Sequence, residues 1–499
     1  MNFLRMLYFL IFVSFCLPET FSFSVSDYDP NAAYSALSIV DRQADDSANI
    51  LFYQALKDLA AGDHSLKDDT DFKAIIVTEL TDEHASEMMV IPVVEESAKV
   101  FAYDAGIDDS FGYAVALDSR ILVVGAHSSG ELAPEKGAVY THLMEDDGSL
   151  RFIEKIEAQD GLSGDLFGIS VSLSNDLLAI GAYKANDEAG AVYLYQVKTS
   201  GPSTFLSKLT AEDGMVGDWF GRSVSISGDL LAVGARRADP DGIYNAGAAY
   251  LYRIDSSGHD IFIEKVTAYD KAEADSFGRS VSLSNNKLVV GAYRGDSPDN
   301  NDTGAAYLYQ IESDGSAVFL SKIIPPDGMP GDYFGISVSI AEDLVAIGAE
   351  NVDFQPIDAE VTENAGAAYI FKFQENGNYS FIDKVYAPDP SEGDDFGKFL
   401  HQSTNLLAVG ARYLDSNGLS DSGAAYLYRI ESNETVSLIL EPKSSNPRAD
   451  DRFGTSVIIS NSMLVVGASG DDQEEKMDTG AAYIYDISNQ LPVTPTYNN

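Results

Sequence analysis

Carboxylate pairs recur along this chain: Asp104 and Asp109, Asp160 and Asp165, Asp213 and Asp218, Asp270 and Asp275, Asp327 and Asp332, Asp389 and Asp394, with Asn446 and Asp451 last. Two carboxylates five residues apart could contribute to a calcium site, but calcium wants six to eight oxygens and the spacing lacks the further ligands of a proper loop. The other chemistry open to such residues is structural, since aspartates accept backbone N–H bonds in turns. Nucleophilic or acid–base catalysis finds less support. The six histidines, His64, His84, His127, His142, His259 and His401, share no fixed repeat position and none stands beside a serine nucleophile motif. No catalytic residue, metal ligand or cofactor is therefore assigned, and the expectation is a non-enzyme. An active site in a central funnel, assembled from scattered residues, would leave no linear motif and stays open as the alternative, a polysaccharide-directed lyase or hydrolase or its binding subunit.

Two positions carry recognition chemistry instead. The residue after a recurring Gly-Ala is His127, Tyr183, Arg236, Tyr293, Glu350, Arg412 or Ser469; the residue before a recurring Phe-Gly is Ser110, Leu166, Trp219, Ser276, Tyr333, Asp395 or Arg452. Aromatic and arginine side chains concentrate interface energy. Trp219, Tyr333, Arg236, Tyr293, Arg412 and Tyr183 are accordingly the candidate ligand-binding residues. The same side chains could equally seal neighbouring units against one another.

The elements that must position them follow from a repeat. Phe-Gly begins at Phe111, Phe167, Phe220, Phe277, Phe334, Phe396 and Phe453, at intervals of 56, 53, 57, 57, 62 and 57 residues, and Gly-Ala-(Val/Ala)-Tyr keeps the same beat from Gly137 to Gly480. Each unit holds four short β runs; in the unit at Phe220, Val224 and Ile226 alternate with serines, Leu230 to Val233 is continuously apolar, and Tyr250-Leu251-Tyr252 is aromatic-rich. Four antiparallel strands in each of seven units predict an all-β, seven-bladed β-propeller. The last unit lacks a fourth strand, whereas Lys99 to Asp104, ahead of the first unit, matches Lys265 to Asp270 of a complete one. An N-terminal strand is thus expected to close the ring, removing exposed sheet edges, unless it is a leftover half repeat.

These markers resemble the FG-GAP family, whose repeats build the propeller of integrin α subunits and many secreted bacterial proteins; the resemblance runs from about Lys99 to Ile487. It implies a binding or adhesion module with an extracellular protein or glycan as partner. Family members often carry a D-x-D-x-D-G-type calcium loop between first and second strands. Here every such connection is a short turn, from Leu117-Asp118-Ser119-Arg120 to Ile459-Ser460-Asn461-Ser462, so the family's calcium sites are not carried over.

Arg5 followed by the apolar Met6 to Leu17 and small residues near Ser22 read as a signal peptide over 1–22, though a retained anchor would also fit. Residues 23–96 form a small α/β extension, with helices expected at 31–43 and 47–61 and strands at 72–80 and 88–94; it could be a domain, a cap or a cleaved leader. The propeller is expected over 97–488 and a tail over 489–499. No apolar segment after the signal is long enough to span a membrane, and the one cysteine, Cys16, lies within the signal, so ring closure cannot use disulfides. A secreted or cell-surface location follows. A net charge of −46 makes nucleic acid an unsuitable partner, while 45% hydrophobic residues supply a core.

Within each blade the first-to-second and third-to-fourth turns must share one face, here called lower, and the second-to-third loops and blade-to-blade connections the opposite, upper face. The upper loops vary in length, from 183–189 to 350–365, and variable loops on a rigid scaffold commonly bind. Arg294-Gly295-Asp296 in one of them reads as loop chemistry, because Arg236 to Asp239 and Arg412 to Asp415 carry a related Arg-x-x-Asp pattern.

Overall fold

The computed structural model describes residues 96–129, 136–145, 148–295, 302–355, 360–374, 376–416, 418–473 and 476–490. The signal segment, the helices and strands expected between 31 and 94, and the tail beyond 490 lie outside the described residues.

Seven four-stranded antiparallel sheets follow one another. Blade 1 comprises β2 (Phe111–Asp118), β3 (Ile121–Ala126), β4 (Ala138–Met144) and β5 (Leu150–Ile156). Blade 2 comprises β6 (Ser170–Ser174), β7 (Leu177–Ala182), β8 (Ala191–Gln196) and β9 (Thr204–Leu209). In blade 3 the strands are β10 (Phe220–Ser227), β11 (Leu230–Ala235), β12 (Ala248–Ile254) and β13 (Asp260–Val266), and in blade 4 β14 (Phe277–Ser284), β15 (Lys287–Ala292), β16 (Ala305–Ile311) and β17 (Ala317–Ile323). Blade 5 runs through β18 (Phe334–Ala341), β19 (Leu344–Ala349), β20 (Ala367–Phe373) and β21 (Tyr379–Val385), and blade 6 through β22 (Phe399–Ser403), β23 (Leu406–Ala411), β24 (Ala424–Ile430) and β25 (Val436–Leu440). Blade 7 takes β26 (Phe453–Ser460), β27 (Met463–Ala468) and β28 (Ala481–Asp486) from one end of the propeller and β1 (Ala98–Val100) from the other.

Closure is therefore by strand exchange, with Ala98 opposite Ile484, Lys99 opposite Tyr483 and Val100 opposite Ala482. The match of Lys99-Val100 to Lys265-Val266 is a match of register, since Lys265 stands opposite Tyr250 in blade 3. Beyond Val100 and Val266 both copies leave the sheet, so the closing strand is shorter than the six-residue similarity suggests.

The core sits between blades. One cluster joins Leu230, Ala232 and Leu251 of blade 3 to Val281, Leu288, Val290 and Tyr307 of blade 4, and another joins Val465, Ala482 and Ile484 of blade 7 to Val115, Leu122 and Val124 of blade 1. Each Phe-Gly phenylalanine is buried with its ring against the third-strand tyrosine of its own blade; Phe220 and Tyr250, for example, meet edge-on at 5.3 Å. The glycines permit the blades to touch. A Cβ on Gly348 would fall on the carbonyl oxygen of Gly397 in the next blade, and Gly397, at φ +87°, lies against the Ala367 carbonyl in the same way.

The serines that alternate along the first strands zip one blade to the next. Ser225 Oγ accepts the Leu283 N–H at 2.9 Å, and Ser282 Oγ accepts that of Ile340 at 3.1 Å. In blade 6 a histidine takes this place, His401 Nδ1 accepting the Ile459 N–H at 3.2 Å. Burial brings the His401 pKa down to about 4, so the ring is neutral and its nitrogen remains an acceptor.

Candidate functional site

Backbone geometry gathers the upper-face positions. The residue before each Phe-Gly adopts left-handed backbone, with φ between 55° at Arg452 and 62° at Trp219, and hydrogen bonds tie it to the preceding blade's second-to-third loop where Trp219 N–H donates to Glu188 O at 3.1 Å. Left-handed conformation in a bulky residue is costly and is sustained by such surrounding contacts. It turns Trp219 and Tyr333 toward the residues that follow Gly-Ala.

Five of the six candidate residues form one continuous cluster across blades 2 to 5. The rings of Tyr183 and Trp219 are 4.9 Å apart, the Arg236 and Arg237 guanidiniums lie 4.4 and 3.5 Å from the centre of the Trp219 ring, and Arg236 donates to Tyr293 Oη at 3.1 Å. Tyr293 meets Tyr333 edge-on at 5.2 Å, with Arg294 within 5.6 Å of both rings. Glu188 accepts from Trp219 Nε1 at 3.1 Å. Several of these contacts cross from blade to blade, so the cluster helps join blades as well as presenting partly exposed aromatic surface. The sixth candidate, Arg412, is held apart by Asp395 at 2.9 Å and lies against Tyr413 at 4.4 Å.

The residues immediately after Phe-Gly are Tyr113, Ile169, Arg222, Arg279, Ile336, Lys398 and Thr455. Of these, Tyr113, Arg222, Arg279 and Lys398, from four different blades, come together about the axis of the ring, here called the channel mouth, a placement that position within the repeat does not disclose. Tyr113 stacks 4.3 Å from His127 and lies 6.4 Å from Phe399 of blade 6. Burial resists ionisation of its phenol, yet the charges of Arg222, Arg412, Arg279 and Lys398 together hold its pKa below the ordinary 10. Burial, then Arg222 and Lys184, lowers His127 to about 4, leaving it neutral. The available signal was the variability of this position, basic in three blades of seven.

The carboxylate pairs have defined partners. The second member of every pair accepts the backbone N–H three residues before it, from Gly106 N to Asp109 at 2.6 Å to Arg448 N to Asp451 at 2.7 Å. In five of the seven pairs the first member accepts a tyrosine hydroxyl and a lysine ammonium from the blade that follows: Asp213 takes Tyr250 at 2.9 Å and Lys265 at 2.7 Å, and Asp104, Asp160, Asp270 and Asp327 are bound alike. In blade 7, where Asn446 stands in place of the aspartate, Asp471 receives Tyr483 and Lys99 instead. Among the described residues no group of three or more His, Cys, Asp or Glu side chains is arranged to hold a metal ion. A groove of about 210 Å³ lies on the lower face, lined by Leu344, Ile382 and Ile430 as well as Asp343, Lys372 and Glu434, below the usual size of a small-molecule pocket.

A closed ring of seven such blades defines a β-propeller with a loop-built upper face. Residues 94–142, 151–195, 204–252, 262–309, 318–371, 379–428 and 443–485 match the FG-GAP repeat, and the chain belongs to that family. Comparison with curated proteins gave no match. Among the described residues no helix is long and apolar enough to cross a membrane.

Proposed function

We propose that this protein is a secreted or cell-surface adhesion module that grips an extracellular protein or glycan with its upper face. The observation that carries the reading is the cluster from Tyr183 through Trp219, Arg236 and Tyr293 to Tyr333, which concentrates aromatic and guanidinium groups on the face whose loops differ most between blades. The guanidinium planes are already stacked and hydrogen-bonded, so less side-chain freedom remains to be lost on binding. The signal-like segment at 1–22 and the propeller family support export. A fluorescently tagged full chain applied to intact cells, with and without prior protease or glycosidase treatment, tests the proposal. Binding removed by one treatment identifies the partner class; no binding to any cell or glycan surface contradicts it.

A further inference from the structure

The mouth of the channel is cationic in a strongly anionic protein. On the side of blades 5 and 6 the cations are matched, Lys398 by Glu350 at 2.7 Å and by Asp395 at 2.9 Å, and Arg412 by Asp395. On the side of blades 3 and 4, Arg222, Arg236 and Arg279 have no carboxylate within ion-pair distance among the described residues. Their contacts are of another kind: Arg222 lies over Tyr183 at 5.6 Å, and Arg236 over Trp219, with its buried Nε unpartnered. Like charges gathered without a carboxylate in direct contact disfavour the folded ring. Burial and the neighbouring Arg222 and Arg236 bring Arg279 down to about 9, opposed by Glu350 and Tyr113, so it remains a cation at neutral pH.

We propose that this mouth receives a single carboxylate, an aspartate or glutamate side chain at the tip of a loop on a basic protein partner. The proposal rests on the upper-face reading and gives that face its ligand chemistry. Guanidinium groups suit carboxylates because their parallel N–H donors match both oxygens. The number of charges on the ligand follows from the rest of the surface. With 78 acidic residues against 32 basic ones, an extended polyanion would meet net repulsion from the rest of the chain, whereas one acidic tip on a basic surface meets complementary charge both at the mouth and from the chain as a whole.

The probes are a cyclic peptide built around Lys-Gly-Glu-Gly-Lys and its twin with glutamine in place of glutamate, titrated into the full chain at fixed ionic strength. Because only the glutamate peptide offers the guanidiniums a negatively charged, two-oxygen acceptor, it should bind about tenfold more tightly or better. In Arg222→Gln and in Arg279→Gln that preference should shrink to about threefold or less, the loss of one of several donors. Equal binding of the twins to the unaltered protein overturns the proposal, and so does a preference that survives in both variants. Stronger competition by a sulfated polysaccharide than by the glutamate peptide also overturns it, in favour of an extended polyanion. The twin comparison needs no variant, so it stands if a substituted chain fails to fold. Should the twins bind alike while Trp219→Ala still weakens cell binding, the carboxylate proposal falls and the upper-face reading survives; if Trp219→Ala and Tyr333→Ala both bind cells unchanged, the upper-face reading itself fails.

Discussion

Replacing Lys99 with methionine tests how the ring is closed. Lys99 lies on the three-residue strand that completes blade 7, and its ammonium is 2.8 Å from Asp471, whose side chain is 4% exposed. The corresponding pair in blade 3, Lys265 and Asp213, is as close at 2.7 Å but has a carboxylate that is 57% exposed. Removing the lysine from the buried pair leaves a charged oxygen that still accepts the Tyr483 hydroxyl but has lost its counterion, while the exposed Asp213 carboxylate can be rehydrated. Breaking a fully buried pair costs about 3–5 kcal/mol; because Lys99 is itself 24% exposed, about 2–3 kcal/mol is expected for Lys99→Met. Lys265→Met should cost no more than about 1 kcal/mol. With an unfolding entropy of about 2.1 cal/mol/K per residue over roughly 390 residues, the first loss lowers Tm by about 2–4 °C and the second by about 1 °C. Paired calorimetry and urea titration of Lys99→Met, Asp471→Asn and the double variant read the coupling directly. Equal small shifts in Lys99→Met and Lys265→Met would refute the dependence of blade 7 on its N-terminal strand through this ion pair.

The turn-capping carboxylates make stability depend on pH. Burial raises Asp332 to about 6 and Asp394 and Asp451 to about 7, against an unfolded value near 3.9. The folded chain thus holds protons that the unfolded chain has released, so this contribution is full below about pH 4 and is lost as pH rises through 6 and 7. The double variant Asp394→Asn, Asp451→Asn keeps an acceptor for the Ser391 and Arg448 N–H groups, and should melt about 2 °C above the unaltered protein at pH 8, with the gap shrinking as pH falls and closing below about pH 4, if each charge costs about 1 kcal/mol after solvent screening. A gap that does not change with pH would contradict the assignment. Because the pairs are satisfied by tyrosine, lysine and backbone groups, addition of a calcium chelator should shift Tm by less than about 1 °C, whereas loss of an ion held at a hundredfold excess over its Kd would remove about 2.7 kcal/mol.

The repeat made much of this architecture legible. Phe220 and Gly234 recur because one fills the blade and the other touches the next, so two short motifs mark strand ends and blade contacts together. The closing strand was readable from Lys99 and Val100 for the same reason. Pairings between distant segments were not: Asp213 meets Tyr250 and Lys265, and only the sheet register brings those residues to one point. Left-handed backbone at Trp219 and Tyr333 was equally hidden, since neither residue type signals it. The cationic mouth escaped because Arg222 and Arg279 follow Phe-Gly in different blades and meet Tyr113 only across the closed ring, which no single repeat discloses.

The central claim is that the upper face binds, and the most direct measurement compares Trp219→Ala and Tyr333→Ala with Phe262→Ala on the outer strand of blade 3, all by titration on the cell or glycan surface that captures the unaltered protein. Phe262 is 43% exposed and belongs to neither the upper loops nor the channel, so it controls for general loss of aromatic surface. Truncating an anchoring aromatic typically costs about 2 kcal/mol, close to thirtyfold in affinity. That loss is predicted for Trp219→Ala and Tyr333→Ala per folded molecule, with unchanged affinity for Phe262→Ala. Unchanged affinity in both upper-face variants would contradict the claim and leave those side chains as joints between blades.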